Sequence, residues 1–309
     1  MSKKILFLYS SEKQKTQLQM CEAVLRSILR KFRKSLLVSY IQTDNSPSCR
    51  DLMKDLLLRE TPRHDAVLMS GDMGSASSQE DFLKNMFGLC VTEHYTAGRM
   101  ICYPEISVTM EQNDNSVIKT SVCTKENMYK AAQFSAEAAR GRKHSITICT
   151  QADSVYDNFF LRHTENALGK ERHLDTEHIY FDAMVSLCMK TIPTFDIVLT
   201  TAEYAKIIAM HLSAMPNAPT GYLLRHTESI RVYQRQILPC EEMNNTAGAS
   251  IILAYAAILE NEFAMRSAAD WLRRAVSLAF EQYACAEKED FIREVIRKIE
   301  IPMRKRRVN

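Results

Sequence analysis

His144-Ser-Ile-Thr-Ile-Cys149, His178-Ile-Tyr-Phe-Asp182 and Phe195-Asp-Ile-Val-Leu-Thr200 punctuate the stretch from 143 to 215, and the segments between and after them have helical spacing. Short β-branched runs separated by helical patterns describe a strand–helix–strand sheet protein. In such sheets chemistry collects where strands end and helices begin. The three strand ends here carry Thr150-Gln151-Ala152-Asp153, Phe181-Asp182-Ala183 and Thr201-Ala202-Glu203-Tyr204-Ala205-Lys206.

Working outward, residues 126–142 read as a helix with Ala131, Phe134 and Ala138 inward. Residues 106–110 and 117–122 alternate like paired strands around Asn113-Asp114-Asn115, a turn-rich link. At the start, residues 5–9 form a buried strand, and Leu18, Cys21, Leu25, Ile28, Leu29 and Phe32 share one face of the helix that follows. Arg26, Arg30, Lys31, Arg33 and Lys34 lie mostly off that face, either as a solvated helix end or as a contact for an acidic partner. Strands at 36–41 and 65–70 flank a helix at 49–58. Residues 247–260 are helical, and Ala268, Trp271, Leu272, Ala275, Val276 and Ala279 give a core-facing helix on which Trp271 packs.

A chain of 309 residues has room for two domains, and 46% hydrophobic with 25% charged residues is ordinary for a globular protein. Forty basic and 37 acidic residues nearly balance, which argues against nucleic acid as a partner. No apolar run nears the roughly 20 residues that span a bilayer, so no membrane association and a cytoplasmic location are expected. The nine scattered cysteines lack C-x-x-C spacing and read as reduced thiols used as small hydrophobes. Eight glycines are well below average usage, leaving few loops able to close on a phosphate.

At the strand ends the chain resembles the isocitrate/isopropylmalate dehydrogenase family, the metal-dependent β-decarboxylating dehydrogenases. That family reads H-K-A-N after the first strand, Y-x-D-A after the second, and F-D-V-(I/V)-(V/L)-T-x-N-x-F-G-D-I-x-S-D through the third. His64-Asp-Ala-Val-Leu-Met-Ser-Gly71 is similar to its D-A-V-L-L-G-A-V-G, and residues 83–95 align without gaps on L-R-K-x-L-x-L-x-x-N-x-R-P. The resemblance implies an α/β fold of isopropylmalate dehydrogenase type, with a mixed central sheet flanked by helices. It implies a first domain of 1–98 plus 220–309, on the cofactor side, and a second domain of 99–219 that dimerises and carries the metal.

The same resemblance shows what has changed. The family's two carboxylate-gripping arginines become Lys84 and His94, and neither makes the paired bonds of a guanidinium. Lys84 suits a solvated helix face more than a ligand contact, and His94 a loop or core position more than a ligand. Matching Glu111 to the first glutamate of R-E-N-T-E-G-x-Y puts Met110 at the arginine and Val117 at the catalytic tyrosine, with Tyr129 or Tyr103 as stand-ins if the register shifts. The catalytic lysine of H-K-A-N becomes Gln151, which has no titratable proton near neutral pH. Asn245 corresponds to the asparagine on the family's cofactor side.

Three family aspartates hold magnesium or manganese, and oxygen ligands suit those hard ions. Asp182 is retained, Lys206 replaces the second and Met210 the third. An ammonium about 4 Å from a divalent ion costs several kcal/mol even at an effective dielectric near 20. Lys206 then either pairs with Asp182, across a subunit boundary if need be, or points into solvent. Asp182 either keeps a ligand role or caps the helix behind it.

The resemblance therefore implies a relative that has lost metal-dependent oxidative decarboxylation and acts as a binding, regulatory or assembly partner, with no cofactor. Its partner would be a second copy or an intact paralogue. The alternative is a working NAD-dependent 2-hydroxy acid dehydrogenase with relocated groups, using NAD and Mg or Mn.

Overall fold

Five consecutive buried residues, Ile5 to Tyr9, make the first strand a central one, because only a strand covered on both faces can be apolar without alternation. The computed structural model describes residues 2–43, 50–70, 83, 87–113, 116–189, 194–213, 221–235, 246–283 and 288–301. It divides into two compact units: Met1–Met86 with Pro219–Leu223 and Ile230–Asn309, and Phe87–Ala218 with Leu224–Ser229. Residues 87–98 and 224–229 thus go with the second unit, although the family resemblance assigned them to the first domain.

In the first unit, β1 (Lys3–Tyr9) pairs in parallel with β2 (Leu36–Gln42) and β3 (Ala66–Met69), and β3 pairs in parallel with a late strand, Arg231–Arg235. Helix α1 (Glu12–Lys31) starts at Ser11, whose hydroxyl accepts from the Gln14 amide, and α2 (Arg50–Glu60) follows β2. The apolar face read from sequence is the one α1 buries: Leu18, Cys21, Leu25, Ile28 and Leu29 are 0–1% exposed.

The second unit opens with an antiparallel pair, β4 (Leu89–Thr96) and β5 (Arg99–Pro104). A ribbon of β6 (Ser107–Asn113) and β7 (Ser116–Val122) forms its own two-stranded sheet. Then come α3 (Lys125–Arg140), β8 (Ser145–Thr150), α4 (Val155–Leu168), β9 (Asp175–Tyr180) and α5 (Phe181–Cys188). The unit continues with β10 (Ile197–Leu199) and α6 (Ala202–Ser213), and takes in most of β11 (Tyr222–Thr227). Its strands run in the order β11-β4-β5-β10-β8-β9, antiparallel at β4–β5 and parallel from β5 to β9. The mixed sheet expected from the resemblance is present.

Alternation along these strands feeds two cores. Met100, Cys102, Ile146, Ile148, Ile197 and Leu199 pack under α3 and α4. Ile101, Tyr103, Cys149 and Val198 pack under α5 and α6. Back in the first unit, β12 (Arg231–Arg235) precedes α7 (Thr246–Asn261), α8 (Arg266–Tyr283) and α9 (Lys288–Glu300). Helix α7 is buried almost all round, as a helix enclosed by others must be. Strands β4, β5, β11 and β12 and helix α9 were not anticipated; the strands are short runs whose polar residues mask the alternation.

The described cysteines are free thiols, all but Cys123 buried, and burial pushes the Cys149 thiol up to about 12. They behave as small hydrophobes. Among the described residues no helix is long and apolar enough to cross a membrane.

One ion pair ties the end of α3 to the start of β10. Arg142 Nε donates to both carboxylate oxygens of Asp196 at 3.1 Å, and the Lys143 amide donates to Oδ2 at 3.3 Å. Burial pushes the Asp196 carboxyl up, but the hydrogen bonds and charge of Arg142 outweigh it and hold the group below the usual carboxylate range. A depressed folded pKa contributes stability that is full above the unfolded value and is lost as pH falls through the folded one. Asp196→Asn is expected to flatten the acid limb of a stability–pH curve while lowering stability at neutral pH. An unchanged acid limb would contradict the pairing.

Candidate functional site

The sequence singles out the strand ends of the second unit, and there the structure gathers a compact polar cluster. Where β8 ends, Ser154 caps α4 by accepting from the Asp157 amide at 3.2 Å, which fixes Asp157 in the first turn with its side chain inward. Asp157 is only 2% exposed. From α6, the Tyr204 hydroxyl reaches Gln151 Oε1 at 2.9 Å and Asp157 Oδ2 at 3.2 Å, one proton shared between two acceptors. Phe181, the first residue of α5, stacks on the Tyr204 ring at 4.5 Å.

Burial first, then the charge and hydrogen bond of Asp157, push the Tyr204 phenol up to about 12. The group is therefore a donor at neutral pH and not a base. Asp157 Oδ1 is buried and has no hydrogen-bond partner among the described residues. Tyr204→Phe would strip the protein donor from Oδ2 as well. The expected cost is about 1–3 kcal/mol, read as a fall in the denaturation midpoint; a neutral result would mean the hydroxyl does not support the carboxylate.

Asp182 and Lys206 sit beyond this cluster on the same edge, both exposed. Asp182 Oδ1 accepts from the Ala183 amide at 2.9 Å in the first turn of α5, so it satisfies one helix-end donor locally. The helix spans Phe181–Cys188, and Tyr180, not Asp182, is its cap residue. Met210, one turn along α6 from Lys206, is 51% exposed. A carboxylate, an ammonium and a thioether do not suit a hard divalent ion. Among the described residues, no three His, Cys, Asp or Glu side chains are grouped so as to hold a metal. His211 is half-buried in the last turn of α6.

Sequence reasoning missed a second polar group, set inside the sheet where β4 lies beside β11. On one face, Glu105 accepts from the Thr92 hydroxyl at 2.6 Å and from Arg225 at 3.4 Å; Glu105 and Arg225 are each 4% exposed. On the other, Glu93 takes the Tyr95 hydroxyl at 2.7 Å and lies 2.9 Å from His226 Nε2, while Phe134 of α3 stacks on the imidazole at 3.8 Å. Neighbours in sequence face opposite ways, so Arg225-His226 on β11 answers Thr92-Glu93 on β4. The available signal was one charged residue followed by a histidine, Glu93-His94 and Arg225-His226, in each of two short apolar runs. Strand β4 begins after Gly88, whose φ of +64° strains any residue with a Cβ, and an added Cβ would lie a tight 3.0 Å from the Glu228 side chain.

No protein-family profile matches the chain. Over 171 residues it is 25% identical to a 3-isopropylmalate dehydrogenase of Thermotoga maritima, a match covering 53% of this chain and 47% of that one. The match thus spans about half the length of that curated relative. In fold the chain is similar to a β-decarboxylating dehydrogenase of Thermococcus kodakarensis in its apo form, with a TM-score of 0.76, 15% identity and 96% coverage of each chain. It is also similar to a protein of Thermus thermophilus, with a TM-score of 0.78 and 13% identity over 100% of this chain and 70% of that one. These similarities agree with the resemblance to the isocitrate/isopropylmalate dehydrogenase family read from the sequence, and the structural ones show its fold.

In the family's frame, the structure brings Gln151 together with Tyr204 and Asp157, and places Asp182, Lys206 and Met210 on the exposed edge. His94 is a strand residue of β4, 8% exposed, which favours the core reading over the ligand one. The Val117 backbone pairs with Gln112 in the ribbon, so the expected tyrosine position falls within a strand. Lys84 and Asn245 lie outside the described residues.

Proposed function

We propose that this chain no longer carries out metal-dependent oxidative decarboxylation and serves as a binding, regulatory or assembly partner. The observation that carries this reading is Gln151 tied to Tyr204 beside a buried Asp157, where the family resemblance calls for a titratable lysine. An amide neither takes nor gives a proton at neutral pH, and Lys206 opposes a cation. With Lys206 and Met210 at two metal positions, no cofactor is expected.

The partner half of the proposal is supported by the β6–β7 ribbon. Every residue of it whose side chain is described is exposed, including Val108 at 42% and Val122 at 55%. A two-stranded ribbon is at best marginally stable alone in water, so its stability calls for cover from another chain. A second copy or an intact paralogue would supply it. The expectation is a dimer by light scattering for the isolated chain, or capture of a paralogue from the native cell. A monomer that captures no paralogue would sink this half.

The alternative is an active NAD-dependent dehydrogenase acting on a 2-hydroxy acid through relocated groups. Absorbance at the reduced nicotinamide band, with NAD or NADP, a panel of 2-hydroxy dicarboxylates and Mn²⁺, separates the two. No turnover is expected; turnover that disappears in Asp182→Asn would establish the alternative.

A further inference from the structure

A serine–histidine pair lies in the first unit, apart from both polar clusters of the second. Ser39 sits midway along β2, and His64 stands just ahead of β3, after a short 3-10 turn at Thr61–Arg63 that follows α2. His64 Nε2 is 2.8 Å from the Ser39 hydroxyl, and its Nδ1 is 2.8 Å from the Glu60 carbonyl oxygen.

A carbonyl oxygen can only accept, so Nδ1 carries the ring proton and Nε2 presents a lone pair. The Ser39 hydroxyl therefore donates to Nε2. In that orientation an imidazole can take a proton from a nucleophilic hydroxyl, while a third group fixes its tautomer. Glu60 is the last residue of α2, and its carbonyl belongs to the negative end of that helix. The partial charge there faces the positive charge that the ring gains on taking the proton.

The strand supplies the remaining parts. The Lys3 amide donates to the Ser35 carbonyl and the Thr43 amide to the Tyr9 carbonyl. Given the parallel register of β1 and β2, odd residues of β2 turn their amides toward β1 and even ones turn theirs away. Strand β2 is the last of its sheet, so among the described residues no strand pairs with its outer edge. The Tyr40 amide points along that edge, next in the chain to Ser39, where it can donate to a developing oxyanion. The Tyr40 hydroxyl donates to Glu22 of α1, so its ring is turned to the other face. Ser39 is exposed on its own face between Leu37, 55% exposed, and half-buried Ile41. Those two side chains offer an apolar bed for a short acyl chain.

We propose that Ser39 is a nucleophilic hydroxyl, activated by His64, that takes an acyl group from a small activated ester. The Ser39 oxygen bonds to the acyl carbon, and the bond from that carbon to the leaving oxygen breaks. The Ser39 proton passes through His64 Nε2 to the leaving group. The pair lies wholly within the first unit and does not depend on the lost-activity reading.

Incubation of the full chain with p-nitrophenyl acetate, followed by peptide mass mapping over time, tests it. One acetyl group on Ser39 is expected, formed at least tenfold more slowly in His64→Gln. In the parent chain its formation should slow on acidification between about pH 8 and 5, because a protonated ring no longer accepts. That second readout needs no variant to fold. No acetyl group on Ser39, a rate that a folded His64→Gln lowers less than tenfold, or one that stays level across that pH range overturns the proposal.

Discussion

Replacing Arg225 with methionine is expected to destabilise the protein by about 3–5 kcal/mol, the largest effect anticipated for any single substitution. Its guanidinium and the Glu105 carboxylate are each about 4% exposed and lie 3.4 Å apart. Removing the cation takes the Arg225 charge away from a buried carboxylate that also accepts from the Thr92 hydroxyl. The pair itself need not be a large net gain, because taking both ions out of water offsets most of their attraction. The double replacement Arg225→Met with Glu105→Gln should therefore recover most of the loss. Denaturant midpoints for the single and double variants decide it. A single variant within about 1 kcal/mol of the parent would mean that water reaches Glu105.

Placing carboxylates at positions 206 and 210 is expected to raise Mn²⁺ affinity at least about a hundredfold. At 4 Å each unit of charge facing a dication is worth several kcal/mol at an effective dielectric near 20. Exposure of both positions screens much of that, and two tenfold steps, about 2.8 kcal/mol, are what should remain. Lys206→Asp with Met210→Asp would put two acids one turn apart on α6, beside the retained Asp182 in the family's ligand set. Titration with Mn²⁺ followed by paramagnetic relaxation reads the difference. If the parent chain already binds as tightly as the double variant, Lys206 is not what opposes the ion.

Both predictions concern charge, but only one was visible in the sequence. Lys206 could be named because the motif frame around it, Phe195-Asp-Ile-Val-Leu-Thr200, is locally strong and the substitution changes sign. Arg225 and Glu105 are 120 residues apart and meet only because β4 lies between β5 and β11. Asp157 was likewise passed over in favour of Asp182, since nothing in the spacing shows that the turn after β8 carries it under the Tyr204 hydroxyl.

The amino-acid order alone determined the strand–helix alternation and the core-facing stripe of α1, because these depend on periodicities of two and 3.6 that each segment carries by itself. Tertiary structure alone decided which charges are buried together, which side chain holds Gln151 and where the division of the chain falls. Those depend on desolvation and on long-range strand pairing, and neither quantity belongs to any single stretch of the chain.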